Sequence, residues 1–128
     1  MKWNLISESI PSKPCYCAVA LKNKGIRVDY ATPNDMRDTL FSFLKHDVEA
    51  WIEYPTLFYS YMEDRGEWVK DIDLKDGGYY FITCDLICIR LCRYSAKLRT
   101  LVDVLTSEWI SDTDRIEAYM PLPNYGGE

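Results

Sequence analysis

From Cys15 to Leu21 the apolar positions run without a break. In an extended chain Cys15, Cys17, Val19 and Leu21 lie on one side, and Tyr16, Ala18 and Ala20 on the other. A segment that is apolar on both faces reads as a central strand. Lys22-Asn23-Lys24-Gly25 supplies a turn. Ile26 to Ala31 then sets Ile26, Val28 and Tyr30 against Arg27 and Asp29, the alternation of a half-exposed return strand.

The period then changes. Thr32 can cap a helix, Pro33 suits its first position, and Asp35 stands near its positive end. Met36, Leu40, Phe43, Leu44, Asp47, Val48 and Trp51 follow at spacings of three and four, and Pro55 closes the segment. This predicts a helix from about Pro33 to Trp51. Leu57 to Met62 reads as a strand with its turn at Glu63-Asp64-Arg65-Gly66, and Glu67-Trp68-Val69 as the start of a return. Asp71 to Gly78 reads as a loop, and Tyr79 to Ile89 as a strand.

Beyond it two periods compete. Ile87, Leu91, Tyr94, Leu98, Leu101, Leu105 and Trp109 fit a helical stripe, and no Gly or Pro interrupts Tyr79 to Tyr119. Ser95 is a suitable N-cap, so a second helix is expected from there. Its charges oppose it: Lys97 and Arg99 fall near the positive end and Glu108 near the negative one. Packing of Leu98, Leu101, Val102 and Leu105 has to outweigh that. A final strand, Arg115 to Leu122, completes the pattern. The expected fold is α+β, a single domain over 1–128, with an antiparallel sheet and one or two packed helices. The expected core includes Trp3, Val19, Leu21, Val28, Leu40, Leu44, Ile82, Leu101 and Leu105.

Composition narrows the function classes. A chain of 128 residues suits one domain, and 48% apolar residues argue against disorder. The odd count of 5 Cys argues against a complete disulfide framework, which points to a reducing cytoplasm. No apolar run approaches the ~20 residues of a membrane span. The opening residues lack a basic segment followed by an apolar stretch, so no secretory signal and no membrane partner are expected. A net charge of −5 works against nonspecific nucleic-acid binding. Oligomeric state is not set by these features.

No catalytic constellation emerges, and neither cofactor nor metal is expected. Cys84, Cys88 and Cys92 recur every four residues, and Cys15 and Cys17 form a second group. Zinc sites use closer pairs such as Cys-x-x-Cys with partner ligands, whereas buried thiols are commonplace. His46 is the only imidazole, and it has no motif around it. Asp71, Asp73 and Asp76, and Asp112, Asp114 and Glu117, are acid groups without calcium-loop spacing. Gly77-Gly78 and Gly126-Gly127 lack the surroundings of a phosphate loop. The charge layout says more. Leu86 to Thr100 holds Arg90, Arg93, Lys97 and Arg99 and no acid, whereas Asp103 to Glu117 holds five acids against Arg115. Arg90, Arg93, Tyr94, Lys97 and Arg99 are therefore the candidate partner-binding residues.

The two ends carry the sharpest motifs. Trp3-Asn4-Leu5-Ile6-Ser7-Glu8-Ser9-Ile10-Pro11 stands near the start and Tyr119-Met120-Pro121-Leu122-Pro123 near the end. They resemble the opening and closing signatures of a small phage and prophage family of unknown function. That family opens with Trp and a Leu-Pro seven and eight residues on, and it ends on an aromatic followed by Met-Pro-Leu-Pro. Here Ile10 replaces the Leu, and the middle of the chain is much longer. The resemblance implies that the two ends meet on one sheet, and it transfers no catalytic residue. Read physically, Pro121 and Pro123 belong at an edge or strand end, and Met120 and Leu122 can face a core. The tail from Asn124 onward is expected to contribute little.

The leading expectation is a non-enzymatic accessory protein of a phage or mobile element. It would bind a host protein, for example to inhibit a defence system. The alternative is a nucleic-acid-linked role. In one form Arg90, Arg93, Lys97 and Arg99 contact phosphates with Tyr94 stacking. In the other, scattered carboxylates imitate DNA.

Overall fold

The structure is a computed structural model. It describes residues 1–22, 25–32, 48–55, 68–84, 88–110 and 116–125, and for Cys84 and Cys88 the backbone only. The described residues form eight strands: β1 (Asn4–Leu5), β2 (Cys15–Leu21), β3 (Ile26–Ala31), β4 (Val48–Glu53), β5 (Tyr79–Cys84), β6 (Cys88–Ser95), β7 (Thr100–Asp103) and β8 (Ile116–Pro121). All pairings are antiparallel, in two four-stranded sheets ordered β1-β4-β2-β3 and β7-β6-β5-β8. No helix occurs among the described residues, so the expected α+β class is corrected to a β fold.

The chain divides into two compact units. The first comprises Met1–Tyr54 with Pro123–Glu128, and the second Pro55–Leu122. The sheet of the first unit is built on the hairpin read from the sequence. β2 and β3 have the expected bounds and pair from Cys15↔Ala31 to Ala20↔Ile26. β2 lies between β3 and β4, and Cys17 to Leu21 are all buried, as a strand apolar on both faces must be.

β4 occupies the end of the helix expected over Pro33–Trp51; residues 33–47 lie outside the described ones. Val48, Ala50 and Ile52 are buried and Glu49 is exposed, a period of two. The helical spacing from Val48 to Trp51 has a local cause. Val19 is opposite Trp51 while Leu21 is opposite Val48, so two steps on β2 meet three on β4. This bulge lets residues three apart serve one cluster, in which Trp51 packs against buried Cys17, Val19, Leu21, Ala31 and Val48.

The second unit holds the larger correction. The helix expected after Ser95 is a pair of turns flanking the short strand β7. Residues 96–99 reverse the chain between β6 and β7, with Arg99 left-handed at φ 54°. Residues 104–107 reverse it again, with Ser107 at φ 65°, so that Trp109 bridges to Val102. The cap chemistry was present without the helix. Ser95 Oγ accepts from Leu98 N–H at 3.3 Å, and Asp103 Oδ1 accepts from Leu105 N–H at 2.8 Å and Thr106 N–H at 3.1 Å. Ser and Asp make the same short-range bonds in turns as at helix starts.

The core follows the strands. Tyr80, Ile82, Cys92, Leu101 and Ile110 form the second unit's cluster, with Tyr94, Ile116 and Tyr119 packed on it. Of the expected core, Val19, Leu21, Ile82 and Leu101 are buried, and Trp3 and Val28 are half-buried. Leu105 is 60% exposed in its turn, and Leu40 and Leu44 lie outside the described residues. The expected loop before β5 is confirmed. Gly77 takes φ 78°, and a Cβ on Gly78 would stand 2.8 Å from Tyr80 Oη, which accepts from Lys75 N–H.

The two ends meet, though not on one sheet. β1 edges the first sheet, and β8, carrying buried Met120 and ending at Pro121, edges the second. The chain then returns to the first unit, where Trp3 Nε1–H donates to Pro123 O at 2.7 Å. Trp3 meets Tyr125 edge-on with ring centroids 5.4 Å apart. Desolvation pushes the Tyr125 phenol up, helped by Glu49, to which it hydrogen-bonds. The tail is therefore an anchor as far as Tyr125.

Tyr125→Ala is expected to cost about 0.5–1.5 kcal/mol in urea unfolding, the range of an aromatic pair. The opposite sign is expected at Thr83, which is fully buried with an Oγ1 that has no hydrogen-bond partner among the described residues. Thr83→Val replaces the hydroxyl by a methyl of similar shape and should stabilise by about 1 kcal/mol. A loss of stability in that variant would show the hydroxyl to be bonded.

Candidate functional site

The densest group of chemically active side chains lies on one face of the first sheet. The register sets Cys17 opposite Asp29 on β3 and opposite Glu53 on β4. Cross-strand partners share a face, so a thiol is flanked by two carboxylates in one row. Cys15 lies two residues along the same face, with its Sγ 3.6 Å from Cys17 Sγ. Cys17 is fully buried and Cys15 half-buried. Asp29, also buried, accepts from Tyr30 N–H through Oδ1 at 2.8 Å. At the rim, Lys13 Nζ is 3.6 Å from Glu53 Oε2 in an exposed pair.

Burial is the main force on both thiols. It pushes Cys15 up, with Glu53 adding to the rise and the bond from Cys17 opposing it. It pushes Cys17 far above the ordinary thiol range, with Cys15, Glu53 and Asp29 adding to the rise. A thiol so held is protonated at neutral pH and is no nucleophile.

The opposite face presents aromatics. Tyr16 and Tyr30 are direct partners across β2 and β3, with centroids 4.8 Å apart, and Tyr54 lies 6.0 Å from Tyr16. Tyr16 is 53% exposed and Tyr30 40%, whereas Ala18, Ala20, Ile26, Ala50 and Ile52 on the same face are buried. The face thus passes from a closed end to an open aromatic end.

The candidate basic residues do not form one patch. On β6 the side chains of Arg90 and Tyr94 share a face, and Arg93 takes the other. Arg90 Nη1 donates to Asp103 Oδ2 at 3.1 Å, and the Asp103 side chain is only 7% exposed. Tyr94 packs on the core cluster, Arg93 is exposed, and Lys97 and Arg99 are exposed in the turn after β6. Cys84 and Cys88 are backbone partners across the β5–β6 hairpin, and Cys92 lies four residues further along β6. Asp76 Oδ1 accepts from Ala96 N–H at 2.9 Å, which gives that acid a structural role. Glu117 is half-buried on β8, and Asp112, Asp114 and His46 lie outside the described residues. Among the described residues no group of three or more His, Cys, Asp or Glu side chains could hold a metal ion.

Tyr16–Tyr30 and the Cys17–Asp29–Glu53 row were not picked out from the sequence. The first was accessible: once the turn at 22–25 sets the hairpin register, Tyr16 must face Tyr30. Glu53 was hidden by the helical reading of its strand.

Comparison with known proteins finds no matching family, no matching curated protein and no matching solved structure. Among the described residues no helix is long and apolar enough to cross a membrane.

Asp103 ties three groups, two backbone donors and Arg90. Asp103→Ala is expected to destabilise by about 2–4 kcal/mol, because it leaves turn N–H groups unbonded and Arg90 without its carboxylate. Asp103→Asn keeps an oxygen for the turn and should cost about half as much. Equal costs in urea unfolding would assign the whole effect to the charge.

Proposed function

We propose that this chain is a non-enzymatic protein-binding module, the accessory protein of a phage or mobile element, and that Tyr16, Tyr30 and Tyr54 form its contact surface. Exposed Tyr16 and Tyr30, with half-buried Tyr54 beside Tyr16, carry this reading. Large aromatic side chains are normally buried, and a rigid strand holds them at low entropic cost to a partner. Tyr adds a hydroxyl that can bond at the edge of an otherwise apolar contact. The thiols of the first sheet are protonated and lack a neighbouring imidazole among the described residues, which argues against nucleophilic catalysis. Unbridged Cys15 and Cys17 support a cytoplasmic setting.

A host protein is the proposed partner, and inhibition of a defence system is one concrete version. The terminal motifs are the ground for the phage setting. The phosphate-binding alternative is weakened by Arg90, whose charge is committed to Asp103, and by Arg93 on the opposite face of β6.

The test is affinity capture from bacterial lysate with the intact chain and with Tyr16→Ala/Tyr30→Ala. Losing this cross-strand ring pair should lower the melting temperature by several degrees, so capture is compared at a temperature at which both chains are folded. A captured host protein should be lost at least tenfold in the double variant. Capture that is unchanged by the substitutions, or no protein enriched over an unrelated acidic control, overturns the proposal.

A further inference from the structure

We propose that Cys15 and Cys17 form a two-thiol site for a single soft cation of the Cu(I) class. The site is built by the strand. Residues two apart on β2 share a face, and here the two sulfurs touch at 3.6 Å. With metal–sulfur bonds of about 2.3 Å, two sulfurs on one ion stand roughly 3.8 Å apart at a tetrahedral angle and about 4.6 Å apart in a line. The pair reaches that range by opening about 0.2–1 Å. Half-buried Cys15 can supply this by rotating its side chain, while buried Cys17 forms the floor.

The ligands select the ion. Thiolates favour soft metals, and Cu(I) is satisfied by few ligands, whereas Zn(II) takes four. No group of three or more ligating side chains could hold a metal among the described residues, so these residues build no four-ligand site. Asp29 and Glu53 flank Cys17 on the same face. Exchanging two protons for one monovalent ion leaves the site one charge more negative, which their field opposes, so selectivity rests on the softness of sulfur and on the two-ligand count.

Binding is an exchange without electron transfer. Two S–H bonds break heterolytically, two metal–sulfur bonds form, and both protons go to solvent. Affinity should therefore rise toward a hundredfold per pH unit below the thiol range, with two protons released per ion.

The experiment is an anaerobic titration of the full chain with Cu(I) buffered by bicinchoninate, at several pH values. Cys15→Ser is the decisive variant, because Cys15 is half-buried and its replacement leaves the filled floor of the cluster in place. The wild-type chain should bind one equivalent more than Cys15→Ser, with a two-proton slope, and a tenfold excess of Zn(II) should not displace it. Cys92→Ser, in the other sheet, should retain that equivalent. Uptake unchanged in Cys15→Ser, a one-proton slope, or displacement by Zn(II) overturns the proposal. The tyrosine surface is on the opposite face, so failure here leaves the protein-binding reading intact, and the reverse also holds.

Discussion

A strand covered on both faces has nowhere to put a charge, and each sheet contains such a strand. In β2 the residues from Cys17 to Leu21 are buried, and in β5 those from Tyr80 to Thr83. Burying a side chain of this kind contributes roughly 1.5–3 kcal/mol for the larger apolar types. The charges are displaced to neighbouring strands. Arg27, Asp29, Glu49 and Glu53 stand on β3 and β4, and Arg90 and Arg93 on β6. Where such a group is drawn inside, it needs partners. Asp103 has three, from Arg90 and two turn amides, which lets a carboxylate sit at 6% exposure.

This constraint explains what could be read in the chain. β2 and β3 were legible to the residue, because uninterrupted apolarity followed by alternation has one good solution. β8 was nearly so, because Pro121 can only end its ladder. The helical readings of residues 48–51 and of the stretch after Ser95 failed for a shared reason. A strand has a period of two, but a bulge or a turn resets its phase. The extra residue in β4 brings Val48 and Trp51 to one cluster at a spacing of three. The turns at 96–99 and 104–107 rejoin short strands so that apolar positions recur every three or four residues. Leu98, Leu105 and Trp109 then complete a stripe on paper while standing 42%, 60% and 61% exposed. The opposing charges at Lys97, Arg99 and Glu108 were the warning, since a real helix would have carried them at a cost.

The candidate sites were less legible than the fold because they are properties of register. A run of basic residues looks like a surface when it is read along the chain. Placed on β6, the same run is divided by the pleat, and its first member is neutralised by an acid thirteen positions away. Conversely, Cys17, Asp29 and Glu53 are far apart in sequence and adjacent in space. The helical reading of β4 removed Glu53 from that row before it could be seen.

The terminal anchors bear on how the chain presents these faces. The first unit is closed by its own tail, with Trp3 held to Pro123 and Tyr125, so both covalent links to the residues of the second unit leave from it. Chain on both sides of an inserted segment is thereby fixed in the unit that carries the tyrosines and the thiol pair. Within that unit β2 serves two surfaces at once, since Cys15 and Tyr16 are neighbours that point to opposite faces. A change in side-chain volume at Cys15 or Cys17 acts on the core cluster beneath Trp51, whereas a change at Tyr16 acts on the open face. The two faces are therefore separable by substitution although they share one backbone.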